Sequence, residues 1–449
     1  MRVITEGLIR RQAEVISLID PLANAYRLTV WTRPLQGFEI NQGKGGIIAE
    51  RKYELDSLCS YLQLTTSLFE QIHTGNTFTC SPQDSLYSDE IFLHSLRTVL
   101  HVMEVLQRPN QPISFDFQST AKEADSMDMS NCVQHPIQIV ESYSNPELPP
   151  QRWQNIPYTG LSASGFRPSD DVCKYPFHIP SNMYAVSTLS SLHQMLTEIL
   201  DATHCFDLSL RKRTAIMKIM EKAESLRVEI DRGIHKHAIH KHPVFGEIYC
   251  YEVDGNGNCA LMDDANNPSL LGIPHYQYKG VNRDPKRMEE LYANTRAFIL
   301  SPENPYFVAF PKATQTEFCL GAVGSPHTKT GSVWPMSLII QATTRLDKLM
   351  AVLYSNKEDI HRYAATKSQS LDTLFWIKEV REASQEIQQL LQILQETTAG
   401  RGLMHESFQA NPFNPSQFTR SWFSWANSLY AESIISSLPL LIPELFTST

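Results

Sequence analysis

Long stretches of this 449-residue chain repeat apolar side chains at three- and four-residue spacing, and that period confines them to amphipathic helices. The spacing predicts helices over 5–18, 52–73, 89–107, 181–202, 208–237, 286–300, 336–354, 368–398 and 415–436. Loops rich in Gly, Pro, Asn and Asp separate them. One segment reads as strand and turn: GEIYCYEVDGNGNCALM (246–262), where alternating Ile248, Cys250 and Glu252 run into a Gly-Asn turn. The expected class is therefore all-α with a small β-hairpin insertion. Paired helices whose connecting loops carry the polar and aromatic residues suit hairpins arranged around an axis, and a helical bundle or solenoid has the same signature. The stretch 108–170 holds eight prolines, and 108–165 is set apart as a long loop or insertion. Without a composition break or internal repeat, the expectation is one domain over 1–449.

Charge narrows the partners. A formal net charge of −9 leaves no excess of Lys and Arg to bind nucleic acid or an anionic membrane. No run of 18 apolar residues occurs, so no membrane-spanning segment is expected. Glu6, Arg10, Arg11 and Glu14 interrupt the N-terminal helix pattern where a signal peptide needs an apolar centre, and the compartment stays unknown. The eight cysteines (Cys59, Cys80, Cys132, Cys173, Cys205, Cys250, Cys259 and Cys319) lack a C-x-x-C pair, so most are expected to be buried thiols.

The polar motifs sit between the helices. GRGLMHESF (400–408) places Glu406 on a glycine-loosened turn beside His405, and SGFRPSDD (164–171) bends around Gly165 and Pro168 into Asp170 and Asp171. Each acidic residue alone suits a helix cap. Together, two carboxylates across a pocket hydrolyse a glycoside without a cofactor, one protonating the leaving oxygen and the other activating water. LMDDANNPSLL (261–271) adds Asp263 and Asp264, which serve equally as turn caps or as acceptors for sugar hydroxyls. VGSPHTKTGSVWPM (323–336) offers His327, and FTRSWFSWANSLY (418–430) offers Arg420 with Trp422, Phe423 and Trp425, rings that either join a core or stack on a pyranose. HKHAIHKH (235–242) has no acidic partner at metal-ligand spacing, and its histidines are expected at the surface. DGNGNC (254–259) fails as a calcium loop, because Cys259 and Ala265 occupy the positions of the turning glycine and the bidentate glutamate. GKGG (43–46) lacks the Lys-Ser/Thr of a phosphate loop.

Taken in order, SGFRPSDD, YEVDGNGN, MDDAN-PSLL, GSPHT, TAG-G-MHE and FTR-WF-WANSL resemble glycoside hydrolase family 125, the metal-independent exo-α-1,6-mannosidases. LIRRQAEVISLIDPLANAY and ERKYELDSLC extend the resemblance upstream. WPMSLI (334–339) is closer to the family's fungal branch, named for a meiotically up-regulated gene, than to its bacterial members. The resemblance implies an (α/α)6 barrel, or toroid, and an inverting mechanism with no metal and no cofactor. It implies a mannose-containing oligosaccharide of N-glycan or mannan type as partner, and leaves the oligomeric state unknown. By motif position Asp170 is the general acid and Glu406 the general base, with Arg167, Asp263, Asp264, His327, Arg420 and Trp425 as sugar-binding candidates. The family's Trp-Leu-Arg-Asp sequence, which precedes the IDP-ANA motif, has no counterpart here, where IDPLANA begins at Ile19. The resemblance thus implies a chain lacking the first helices at its N-terminus, and with them one wall of the pocket. Two readings follow: an active α-mannosidase, or a truncated remnant that is inactive or only binds mannose.

Overall fold

The computed structural model describes residues 2–26, 48–50, 52–73, 86–109, 155–202, 206, 208–310, 320–355 and 371–441. Most of the 108–165 insertion, the GKGG turn, Cys80, Cys132, Cys205 and Cys319 lie outside them. The chain separates into two compact units. The first comprises Met1–Ile239, Glu252–Ala260 and Tyr278–Asp284, and the second His240–Tyr251, Leu261–Gln277 and Pro285–Thr449. None of the described helices is long and apolar enough to cross a membrane.

The first unit is built on α1 (Arg2–Leu18), α2 (Leu55–His73), α3 (Glu90–Val105), α4 (Ile179–Asp201) and α5 (Leu210–His237). Each start is chemically marked. Asp89 caps α3 by accepting from the Ile91 and Phe92 amides. His178 caps α4, where Pro180 tolerates the first turn, and Ser209 caps α5. Helix α4 packs against both α2 and α5, so its stripe is buried on more than one side: Met183, Leu189, Leu192, Leu196 and Ile199 are sealed from solvent. Tyr61 and Ser95 join α2 to α3 through their hydroxyls at 2.7 Å, and Tyr87 meets Phe69 and Phe92 edge-on.

The second unit carries α6 (Pro285–Ile299), α7 (Pro335–Ser355), α8 (Leu371–Glu396) and α9 (Ser424–Leu441), with α7 packed on α8 and α9. Glu386 on α8 receives Arg345 at 2.9 Å as well as Arg296 of α6.

Helices dominate, as the periodicity requires, but the small β-hairpin insertion understates the rest. Five small antiparallel sheets lie among the described residues, two of three strands and three of two. The expected strand and turn is present: Glu252 pairs with Ala260 and Val253 with Cys259, joined to Phe177–His178. Asp254 closes the turn by accepting from the Asn256 and Asn258 amides at 2.8 and 3.1 Å. The predicted helix at 415–436 begins instead at Ser424, because Phe413–Thr419 pairs with Ser407–Ala410, which pairs in turn with Ser332–Val333. A helical spacing of apolar residues over so short a run also fits a strand with a register shift, and one occurs between Phe408 and Gln409.

One further expectation is met in part and one is corrected. Cys59 and Cys173 are buried free thiols, whereas Cys250 and Cys259 each take part in a disulfide. His242 is buried, its ring 5.1 Å from Phe245 and 5.5 Å from Phe298, because the strand Ile239–His242 turns it onto α6.

Leu189 sits fully enclosed on α4. Leu189→Ala is expected to lower unfolding free energy by about 2–5 kcal/mol, read from urea denaturation midpoints.

Candidate active site

The SGFRPSDD loop is fastened from several sides. The Gly165 and Phe166 amides both donate to the Tyr53 carbonyl at 3.1 and 3.2 Å. The Leu55 amide donates to Ser164 Oγ at 3.1 Å, and that hydroxyl donates to the Phe166 carbonyl at 2.8 Å. The residues just before α2 thus form a strap along the loop. Within it Arg167 N–H donates to the Asp171 carbonyl, and an isolated bridge joins Phe166 to Val172. Arg167 is buried, with Nε 2.6 Å from Glu252 Oε1, and Glu252 Oε2 accepts the Lys174 and Tyr175 amides at 2.8 and 3.1 Å. The guanidinium is therefore a tie between loop and hairpin.

This tight turn forces Asp170 to φ +68°, a left-handed conformation that Asp tolerates better than most residues. Its side chain is 42% exposed, and Oδ1 stands 3.1 Å from Lys52 Nζ. The strap and the first turn of α2 carry two more carboxyls. Glu54 is pushed up to about 9, by burial first and then by the charges of Asp56 and Asp170, and Asp56 to about 6 by burial. Ser181 Oγ donates to Asp56 Oδ1 at 3.3 Å, and burial together with the Arg167 charge holds His178 well below the usual imidazole range.

In the second unit Glu406 occupies the turn leading into Ser407–Ala410, with its side chain 9% exposed. Its amide donates to the Thr419 carbonyl at 3.2 Å, and Oε1 is 3.2 Å from Arg420 Nε. Arg420 has φ +44°, so the strand ends there and the guanidinium lies 5.7 Å over the Phe423 ring. His405 stacks on Phe418 at 3.9 Å, and its Nδ1 must carry the proton, since it meets the Ser421 carbonyl at 2.9 Å. Asn427 of α9 accepts from the Met404 amide at 3.0 Å and donates to the Met404 carbonyl at 2.9 Å. Gly400 and Gly402, at φ +74° and +65°, bring the chain off α8 into this turn.

The other second-unit candidates join the same neighbourhood. Phe423 touches Trp334 at 5.9 Å and Trp425 at 6.5 Å, and Trp334 meets His327 at 6.4 Å. Trp425 is 38% exposed, and His327 is exposed as well. Ser325 donates to Asp264 Oδ2 and accepts the His327 amide, each at 3.2 Å, so the acidic loop is coupled to the GSPHT loop. Gly324 permits this closeness, since a Cβ there would meet the Ser332 carbonyl oxygen at 2.3 Å. Asp263 is fully buried and accepts the Leu270 and Leu271 amides at 2.9 and 3.0 Å. Burial pushes its carboxyl up to about 8.

A sequence description of "Metal-independent alpha-mannosidase (GH125)" matches residues 1–435. The chain belongs to glycoside hydrolase family 125. It is 33% identical over 447 residues to the meiotically up-regulated gene 157 protein of Schizosaccharomyces pombe, covering 96% of this chain and 69% of that one. It is also similar to a metal-independent α-mannosidase of Streptococcus pneumoniae solved in a non-productive complex with α-1,6-mannobiose. That likeness has a TM-score of 0.65 and 30% identity, and covers 98% of this chain and 81% of that chain.

Within this family 125 chain the structure gathers Glu406, Arg420, Trp425, His327 and Asp264 into one connected region of the second unit, and Asp170 with Arg167 into one loop of the first. The motifs do not single out Lys52, Glu54 and Asp56. They lie in ERKYELDSLC, where alternating charged and apolar residues read as the entrance to a helix, and only the fold brings that entrance against the SGFRPSDD loop.

Asp263 yields a pH prediction. An unfolded Asp ionises near 3.9, whereas the buried group keeps its proton to about 8. The folded state therefore holds the extra proton, and its contribution to stability is lost as pH rises across that window. Asp263→Asn is expected to flatten this fall, measured as urea midpoints from pH 4 to 8.

Proposed function

We propose that this chain is an inverting exo-α-mannosidase that removes terminal α-1,6-linked mannose from N-glycan or mannan-type oligosaccharides. In this reading the chain is a single (α/α)6-type catalytic domain. Asp170 is the general acid, Glu406 the general base, and Arg420 holds the Glu406 carboxylate. The observation that carries it is Glu406: a nearly buried carboxylate with its own arginine, at the end of a path of aromatic rings, in a family 125 chain.

The chemistry follows from the residue types. Protonation of the glycosidic oxygen by Asp170 lets the C–O bond break, while Glu406 takes a proton from the water that attacks the opposite face of the sugar. That arrangement requires about 6.5–9.5 Å between the carboxyls, room for one water. The exposed faces of Trp425 and Trp422 suit the apolar side of a pyranose, and His327 and Asp264 suit its hydroxyls. Arg167 and Asp263 contribute by shaping their loops. The similarity to a protein complexed with α-1,6-mannobiose supports the linkage.

The second reading is mannose binding without turnover. It predicts calorimetric binding of α-1,6-mannobiose with no mannose released. Under the proposed function, proton NMR of the reaction shows β-mannose first, and α-mannose first overturns inversion. Glu406→Gln and Asp170→Asn are each expected to lower kcat/KM on mannobiose by at least about 100-fold. Unchanged turnover in either variant removes that residue from its role.

A further inference from the structure

Lys52 places a cation beside Asp170, with Nζ 3.1 Å from Oδ1, and both side chains are partly open to solvent. Main-chain bonds fix the lysine from two sides. Its own amide donates to Asn24 Oδ1 at 2.9 Å, and the Tyr53 carbonyl accepts the Gly165 and Phe166 amides. The ammonium lies 5.9 Å from the centroid of the buried Phe166 ring. Asp170 is held at φ +68°, a conformation that a residue with a side chain adopts only at a cost. The fold gains little from the contact between them. A partly exposed ion pair adds little net stability, and the lost rotamer freedom of a long lysine opposes even that. The SGFRPSDD loop is already fastened by Arg167 on Glu252 and by the bonds to Tyr53 and Leu55. A strained aspartate and an ordered lysine therefore meet at an open point where packing asks for neither.

We propose that Lys52 determines specificity for the leaving sugar, its ammonium donating to a hydroxyl of that sugar while Asp170 meets the glycosidic oxygen. This rests on the reading of Asp170 as the acid. Hydrogen-bond contact puts a glycosidic oxygen about 3 Å from the Asp170 carboxyl. The ammonium is equally close to that carboxyl, so it stands within about 6 Å of the bond that breaks. An exo-acting site encloses the terminal sugar and leaves the rest of the oligosaccharide in solvent. An exposed cation beside the acid therefore serves the departing sugar, whereas the nearly buried Glu406 serves the enclosed one. A lysine ammonium carries three rotatable N–H donors, which lets it hold a carboxylate and a hydroxyl together. Arg167, the cation inside the motif, is buried on Glu252 and cannot take this place.

The test measures binding by calorimetry in a Glu406→Gln background, which slows turnover, with α-1,6-mannobiose and methyl α-mannoside as ligands. The two share the terminal sugar and differ in the leaving group, a hydroxyl-bearing mannose against a methyl. Lys52→Met keeps most of the stem and removes the charge. It is expected to weaken mannobiose about 10-fold and to leave methyl α-mannoside within about twofold. Lys52→Arg is expected to recover part of the lost affinity. With Glu406 intact, Lys52→Met lowers kcat/KM on mannobiose by about 10-fold, chiefly through KM. Equal weakening of both ligands makes Lys52 a structural residue and overturns the proposal, as does an unchanged affinity for mannobiose. A chain that keeps Lys52 and binds neither ligand overturns it together with the mannosidase reading. Full mannobiose turnover by Asp170→Asn overturns the acid reading and this inference with it, whereas a failed binding comparison leaves the acid reading standing.

Discussion

Glu252 is fully shut away from solvent, and an ionised carboxylate there is tolerable only if its charge and lone pairs are met. Arg167 supplies the charge, and the Lys174 and Tyr175 amides supply the remaining hydrogen bonds. Removing either partner leaves the other buried and uncompensated, at a cost of about 3–5 kcal/mol. This pair thereby fixes where SGFRPSDD runs, ties it to the hairpin that carries Glu252, and leaves Asp170 in a left-handed turn from which its carboxyl reaches Lys52. The SGFRPSDD loop has little freedom of its own.

Glu406 is held by a different method. Its backbone leads into a sheet strand, its carboxylate is met by Arg420 at 3.2 Å, and the neighbouring histidine is immobilised by stacking and by the Ser421 carbonyl. Main-chain hydrogen bonds and one cation are present at both places. The two carboxylates nevertheless sit in different surroundings, one nearly buried and one half-exposed.

Much of this was legible in the chain. Three- and four-residue periodicity marked the helices to within a few residues everywhere but at 415–436, since a one-sided apolar stripe leaves little choice of conformation. The short strands were harder. Phe413–Thr419 is paired only because Ser407–Ala410 folds back on it, and that long-range pairing outweighs local spacing. Asp170 and Glu406 could be singled out because their loops carry recognisable motifs. Arg167 and Asp263 sit in equally recognisable motifs, yet the structure engages both in burial-driven contacts that no residue type announces. Lys52 could not be singled out for a related reason: its partner, Asp170, lies more than a hundred positions away along the chain.

Asn427 has a consequence of its own. Its carboxamide both donates to and accepts from Met404, the pattern by which one peptide group recognises another. The first turn of α9 therefore behaves as a surrogate rung on the sheet that bears Glu406. Displacement of that helix end, by altered packing against α7, is therefore passed to the turn that carries Glu406.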